Sequence, residues 1–162
     1  MGNTDASARV DSANRVIQAE PRVLYRAFAD GDTLMQWLPP GDMQGRALAY
    51  DFREGGHYRV ELRYPGDGDA VGKSSARSDI SHGRFEELIE GERIRQTVRF
   101  ESDDPAFHSE MTMTWTFAPE ANGTRVSVTA EHVPPGVAPE DHAQGLNASL
   151  DNLAAFVESG KA

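Results

Sequence analysis

Seven residues in this sequence have side chains whose chemistry depends on where the fold places them: five histidines, one glutamate and one glutamine. His57, His82, His108, His132 and His142 are scattered, with no His-x₃-His or comparable spacing, so no metal centre is expected. Two of them stand apart. His132 continues the alternation of Val126, Val128 and Ala130, and His142 lies four residues before Leu146, at the edge of a helical apolar stripe. Each either looks into a cavity mouth or makes an ordinary hydrogen bond at a surface edge. Glu87 follows Phe85 by two residues and so shares its face in a strand. Facing inward, its carboxyl would have a raised pKa suited to acid–base work or to anchoring a ligand. Past a bulge it would face water. Gln96 is flanked on its face by Ile94 and Val98, and burying an amide without partners costs about 1–3 kcal/mol. It therefore bonds either a neighbour or a ligand. Tyr58 and Tyr64 each offer apolar area with one hydroxyl, a common pocket chemistry.

Other chemistries find no support. The chain has no cysteine, which excludes disulfides, thiolate nucleophiles, iron–sulfur clusters and cysteine-ligated zinc. Gly55-Gly56 matches no phosphate-cradling loop, and Asp67-Gly-Asp69 lacks the downstream glutamate of a calcium loop. No Ser–His–Asp set can be argued from spacing. No catalytic constellation is identifiable, and no cofactor is expected.

The elements that must position these residues follow from periodicity. Val16 and Ile17 belong to a first strand over 12–18. Pro21 opens a short helix carrying Val23, Leu24, Ala27 and Phe28, and a second short helix, 33–38, stops at Pro39-Pro40. The period then changes to two. Tyr58, Val60, Leu62 and Tyr64 alternate with charged residues, and 47–52 is the hairpin partner across Gly55-Gly56. Residues 65–79 have no period and read as a long loop. Strands follow over 81–89, 94–100 and 111–117, and Asn122-Gly123 turns the chain into another over 126–132. Met111, Met113 and Trp115 face one side of theirs; methionine in a core also suits an adaptable pocket. A helix over 139–158 begins with Pro139, Glu140 and Asp141 and carries a stripe of Ala143, Leu146, Leu150, Leu153, Ala154 and Val157.

Length and charge narrow the class. The 162 residues suit one domain, expected over 12–160 behind a flexible tail at 1–11. The net charge of −10 argues against nucleic acid and against anionic lipid. No apolar run is long enough for a membrane helix and no secretory signal is visible, so a cytoplasmic location is expected. The fold expected is α+β. A curved antiparallel sheet of six to seven strands wraps around a long C-terminal helix, with two short helices after the first strand. A curved sheet cannot lie flush on a straight helix, so a space opens between them that either side chains or a ligand must fill.

The segments NRVIQAEPRVLYRAFADGDTLMQWLPP (14–40), DFREGGHYRVEL (51–62), GRFEELIEGERI (83–94), NGTRVSV (122–128) and GLNASLDNLAAFVE (145–158), in this order, carry a resemblance. The chain resembles the START-like, helix-grip domains of the SRPBCC superfamily, in the branch of homologues of the heat-shock-protein-ninety ATPase activator. The resemblance implies a sheet gripping the last helix and a cavity for an apolar or aromatic small molecule. It leaves two other roles to weigh. Some members cyclise or dehydrate polyketides, for which Tyr58, Glu87 and His132 or His142 would be the acid–base groups. The other role is an interaction module, acting on a chaperone ATPase or as a homodimer. Gly145-Leu146 stands where the family often has Gly-Trp, which should leave room near the start of the last helix. The eukaryotic co-chaperone also carries a separate N-terminal domain, for which this length leaves no residues, and that weighs against a chaperone partner. The ligand-binding residues expected are Trp37, Tyr58, Phe85, Glu87, Gln96, Met113, Trp115, His132, His142, Leu146 and Leu150. Trp37 is expected to plug one end of the cavity.

Overall fold

The computed structural model describes residues 9–64 and 78–159. Most of the expected tail, the loop over 65–77 with its Asp67-Gly-Asp69, and Gly160 lie outside these residues.

Seven antiparallel strands form one sheet: β1 (Val10–Ile17), β2 (Gln44–Tyr50), β3 (His57–Arg63), β4 (Ser78–Ile89), β5 (Arg93–Phe100), β6 (Met111–Glu120) and β7 (Gly123–Glu131). Their spatial order is β1-β7-β6-β5-β4-β3-β2. From β2 to β7 each strand therefore pairs with its chain neighbour, and only β1 crosses over, to β7. The helices are α1 (Pro21–Arg26), α2 (Gly31–Leu34) and α3 (Pro139–Glu158). This is the helix-grip arrangement, with two short helices after the first strand and a long one at the end. β1 begins at Val10, so the boundary expected between 11 and 12 falls inside a strand.

Alternation decides which face of each strand is dry. On β7, Thr124, Val126, Val128 and Ala130 are fully buried, and the residues between them are not. On β3, Tyr58 and Val60 are buried between exposed His57 and Arg59. The outer face carries crossed ion pairs, such as Arg59 Nε to Glu101 Oε2 at 2.6 Å and Arg93 to Glu87 at 3.1 Å. Two bulges bend the sheet, one between Ala47 and Ala49 on β2 and one between Phe85 and Glu87 on β4. An extra residue on one strand increases local twist and re-aims the side chains beyond it.

α3 starts as its sequence dictates, with Pro139 in the first turn and Glu140 and Asp141 near the positive end of its dipole. Leu146, Leu150, Leu153, Ala154 and Val157 are buried as expected, and Phe156 and Ser149 join them. Ala143 is exposed. The helix is bound to β1 at its edges: Arg15 meets Asp151 at 2.7 Å, and the Gln18 amide donates to Glu158 at 3.0 Å.

The buried residues form two clusters. The larger joins α1, α2, α3 and the middle of the sheet. The smaller holds Val98, Met111, Ala130, Val133 and Val137, with Phe100 and Phe107 against it. It is roofed by the 3₁₀ turn Pro105–Phe107 and by the chain after β7, which meet where the Gly136 amide donates to the Ala106 carbonyl at 2.8 Å. Met113 packs against both clusters.

Candidate functional site

A cavity of about 100 Å³ lies at the seam between the two clusters. Its floor is the inner face of the sheet: Tyr50 of β2, Tyr58 and Val60 of β3, Ser81 of β4, Gln96 and Val98 of β5, and Met113 and Trp115 of β6. Its roof is Phe28, Leu34 and Leu38, from the α1–α2 region. No α3 residue lines it. The space was expected between sheet and last helix; this cavity lies instead between the sheet and the α1–α2 region. The stripe of α3 is buried against the main core, whereas two short helices joined by a turn cannot follow the curvature of the sheet.

α3 still acts on the site at one remove. Ser149 Oγ donates to the Leu38 carbonyl at 2.9 Å, and Asn152 Nδ2 donates to the Pro39 carbonyl at 3.0 Å. These bonds hold the chain that carries Leu38 over the cavity.

Of the residues expected at the site, Tyr58, Gln96, Met113 and Trp115 line the cavity. Trp37 and Phe85 stand one ring behind it. Trp37 is wholly buried, donates its indole N–H to the Ala27 carbonyl at 3.0 Å, and meets Phe28 and Trp115 edge-on at 4.9 and 6.2 Å. Phe85 backs Tyr50 and Tyr58 at 5.4 and 5.3 Å between centroids. Ring packing of this kind, edge-on except for the tilted Tyr58–Phe85 pair, adds stability beyond the buried area and keeps the walls in place.

Five more of the expected residues do not line this cavity. Glu87 lies past the bulge, so it has lost the face of Phe85 and pairs with Arg93. His132 lies beyond the end of β7, exposed, in the left-handed region with φ 60°, and so leaves the apolar face it was expected to continue. His142 turns away from the cavity to Asp11 on β1, with Nδ1 2.7 Å from Oδ2. Leu146 and Leu150 are buried in the main core beneath α3 and do not line the cavity.

The residues that sequence reasoning passed over were partly legible. Val60 and Val98 share faces with Tyr58 and Gln96, and Phe28 belongs to the first helical pattern. Leu34 and Leu38 gave no signal beyond being apolar. Ser81 is a small polar residue facing the dry side of the sheet, which alternation alone does not single out.

The polar chemistry of the wall depends on a local break in the sheet. The Tyr58 hydroxyl donates to the Thr97 carbonyl at 2.5 Å, and the Thr97 hydroxyl accepts from the Arg84 amide at 3.0 Å. Gly83 faces Tyr58 in the β3–β4 register. A Cβ there would stand 1.8 Å from the Thr97 carbonyl oxygen and 2.9 Å from the Tyr58 hydroxyl, so the close approach requires glycine. Burial pushes the Tyr58 phenol well above its ordinary range, although the Gln96 amide beside it favours the anion. Burial does the same to Tyr50, whose hydroxyl donates to the Phe28 carbonyl at 2.5 Å. Tyr64 does not line the cavity; it bonds Asp79 at 3.1 Å, and partial burial with the neighbouring carboxylate pushes it up to about 12. Among the described residues no three His, Asp or Glu side chains stand together as a metal-binding group. No described helix is long and apolar enough to cross a membrane.

Comparison with known proteins agrees with this architecture. Protein CV1439 of Chromobacterium violaceum, a crystal structure, is 38% identical, with 92% of this chain and 96% of that one covered at a TM-score of 0.80. The AHSA1-like protein of Aeromonas hydrophila is 19% identical, with 94% of each chain covered at a TM-score of 0.69. DynU16, from the dynemicin biosynthetic locus, is 19% identical at a TM-score of 0.66; 94% of this chain is covered but only 48% of DynU16. At these last two identities the likeness concerns the fold. No curated protein matches the chain. The family described as Activator of Hsp90 ATPase homolog 1-like protein matches residues 18–158. Both the sheet gripping its last helix and this match over most of the chain say the same thing: the protein is a START-like domain of the SRPBCC superfamily and belongs to the Activator of Hsp90 ATPase homolog 1-like family.

Proposed function

We propose that the protein binds a small apolar or aromatic molecule in the cavity between the sheet and the α1–α2 segment. One observation carries this reading. The cavity is walled by aliphatic and aromatic side chains, with Ser81 and Gln96 as isolated polar groups, and among the described residues no charged one lines it. A few polar groups set singly in an apolar wall are the usual make-up of a small-molecule site. At about 100 Å³ the space is smaller than the ~150 Å³ cavity that takes up benzene. The ligand is therefore small, or the wall gives way around it. Met113, unbranched and shared by the two clusters, is the wall residue best able to move.

An enzyme of the polyketide cyclase type is the alternative, and the neighbour from a biosynthetic locus fits it as well as it fits a binding module. The acid–base groups named for it do not converge. Tyr58 is in the cavity wall, Glu87 pairs with Arg93, His132 lies past the end of β7, and His142 bonds Asp11. The binding reading therefore has the stronger support.

Titration with benzene and toluene, followed by tryptophan fluorescence, tests it, because Trp115 is part of the wall. Saturable quenching or enhancement is expected in the natural chain and is lost in Val98→Phe, which fills the space. Absence of any saturable response, or an unchanged response in Val98→Phe, would overturn the assignment.

A further inference from the structure

The cavity has one rigid end and one yielding end. Within the binding reading, on which this inference rests, we propose that the ligand is an uncharged single aromatic ring bearing a short unbranched alkyl chain. The ring sits against Phe28, Tyr58 and Trp115, and the chain displaces Met113 and runs toward the smaller core cluster.

The rigid end is built of rings locked on one another. Phe28, Tyr58 and Trp115 are each 4% exposed or less. Phe28 meets Trp115 edge-on at 4.9 Å, Trp37 closes behind both, and Phe85 stands 5.3 Å from Tyr58. The Tyr58 hydroxyl, the Tyr50 hydroxyl and the Trp37 indole are tied to the carbonyls of Thr97, Phe28 and Ala27. Such a wall cannot part without breaking buried hydrogen bonds, so it forms a slot of fixed size for one ring.

The opposite end is aliphatic. Val98 and Met113 line the cavity, and both also meet Met111, Val133 and Val137 in the smaller cluster. Met113 faces inward two residues from Trp115 yet is only half-buried, so it has solvent to turn into. Being unbranched, it turns aside at little cost. What it uncovers is roofed by the 3₁₀ turn Pro105–Phe107 and the chain after β7. Gly136 bonded to Ala106, and Arg9 Nη1 bonded to the Val137 carbonyl at 2.6 Å, hold that roof in place of a strand ladder. It rides up over a chain more easily than locked rings part. A flexible chain follows the bend round Met113, whereas a second fused ring, flat and rigid, does not. The chain is about four carbons long, the length of the methionine side chain it replaces. Among the described residues no charged one lines the cavity, so an ion would lose its hydration there without compensation.

Fluorescence titration of the full chain with toluene, n-butylbenzene and tert-butylbenzene tests the inference. The two butylbenzenes have the same composition and differ only in chain shape. n-Butylbenzene is expected to bind about tenfold or more tighter than toluene, at about threefold per methylene, and about tenfold tighter than tert-butylbenzene. In Met113→Ile, whose β-branched side chain is stiff, the ratio of n-butylbenzene to toluene affinity is expected to fall toward one. Methyl NMR spectra of the natural chain need no variant. There n-butylbenzene is expected to shift the signal of Met111, buried in the smaller cluster, more than toluene does. Toluene binding with no gain for n-butylbenzene, equal binding of the two butylbenzenes, an unchanged ratio in folded Met113→Ile, or a Met111 signal moved no further by n-butylbenzene than by toluene would each overturn the inference and leave the binding function standing. If neither benzene nor toluene binds, both readings fall together.

Discussion

The inner face of the sheet is covered in two ways, and the difference accounts for where the cavity lies. Beneath α3 the covering element is a 20-residue helix with one continuous stripe, and Leu150, Leu153 and Ala154 are buried to within 1%. Beneath the α1–α2 segment the covering elements are helices of six and four residues. A long helix offers side chains at every turn along its groove and fills it. Two single-turn pieces joined at Asp30 offer Phe28, Leu34 and Leu38 from different directions, and rings such as Trp37 and Phe85 fill the gaps behind. Close packing therefore fails on the side of the sheet where the cover is discontinuous, even though that side has the larger side chains.

Substitutions on the two sides should separate accordingly. Leu153→Ala, beneath α3, is expected to cost about 2–5 kcal/mol in denaturant unfolding, because the surrounding stripe cannot collapse into the gap. A loss no larger than that of Met113→Ala would break the comparison. Tyr58→Phe removes the partner of the buried Thr97 carbonyl and is expected to cost about 1–3 kcal/mol in denaturant unfolding. Met113→Ala, at the cavity wall, is expected to fall near or below the low end of the ~2–5 kcal/mol range for such truncations. It should also admit larger ligands, such as naphthalene, that the natural chain excludes, which fluorescence titration would show.

Two pH predictions sharpen the same contrast. All four tyrosines, Tyr25, Tyr50, Tyr58 and Tyr64, are raised above their ordinary range by burial. A raised tyrosine contributes stability that is present below the unfolded pKa of about 10 and is lost as pH rises beyond it. Absorbance at 295 nm should therefore change little through pH 10 in the folded protein, with Tyr64 the first of the strongly shifted groups to ionise, near 12. A full tyrosine titration centred at pH 10 with the fold intact would contradict the burial of the cavity wall. On the α3 side, the Arg9 guanidinium holds the Asp11 carboxyl below the usual carboxylate range, and His142 adds a second bond. A lowered carboxylate contributes stability above its unfolded pKa of about 4, lost as pH falls through its folded value. Asp11→Asn should therefore be less stable than the natural chain at pH 6, with the difference shrinking toward pH 2 in acid unfolding curves.

How far the site could be read from the sequence varied with the kind of argument required. Tyr58, Gln96, Met113 and Trp115 could be placed on the cavity side because each sits on the dry side of an alternating strand, and a strand's faces follow from counting by two. Glu87 was misplaced by the same count, since the bulge after Phe85 inserts one residue and reverses the face of everything beyond it. His132 was misplaced because the strand ends one residue earlier and the backbone turns left-handed. Leu146 and Leu150 were correctly buried but given the wrong neighbours.

The helix-grip fold, the span of α3 and, away from the bulges, the inward faces of the strands were determined by the sequence alone, because periodicity is local: a few residues suffice to show which side of an element is apolar. Tertiary structure alone decided the position and polarity of the cavity. The close approach at Gly83, the partner that each tyrosine hydroxyl chose, and the failure of two short helices to follow a bent sheet are properties of several elements at once. No single stretch of chain contains the carbonyl that Tyr58 meets or the gap that Phe28 and Met113 leave between them.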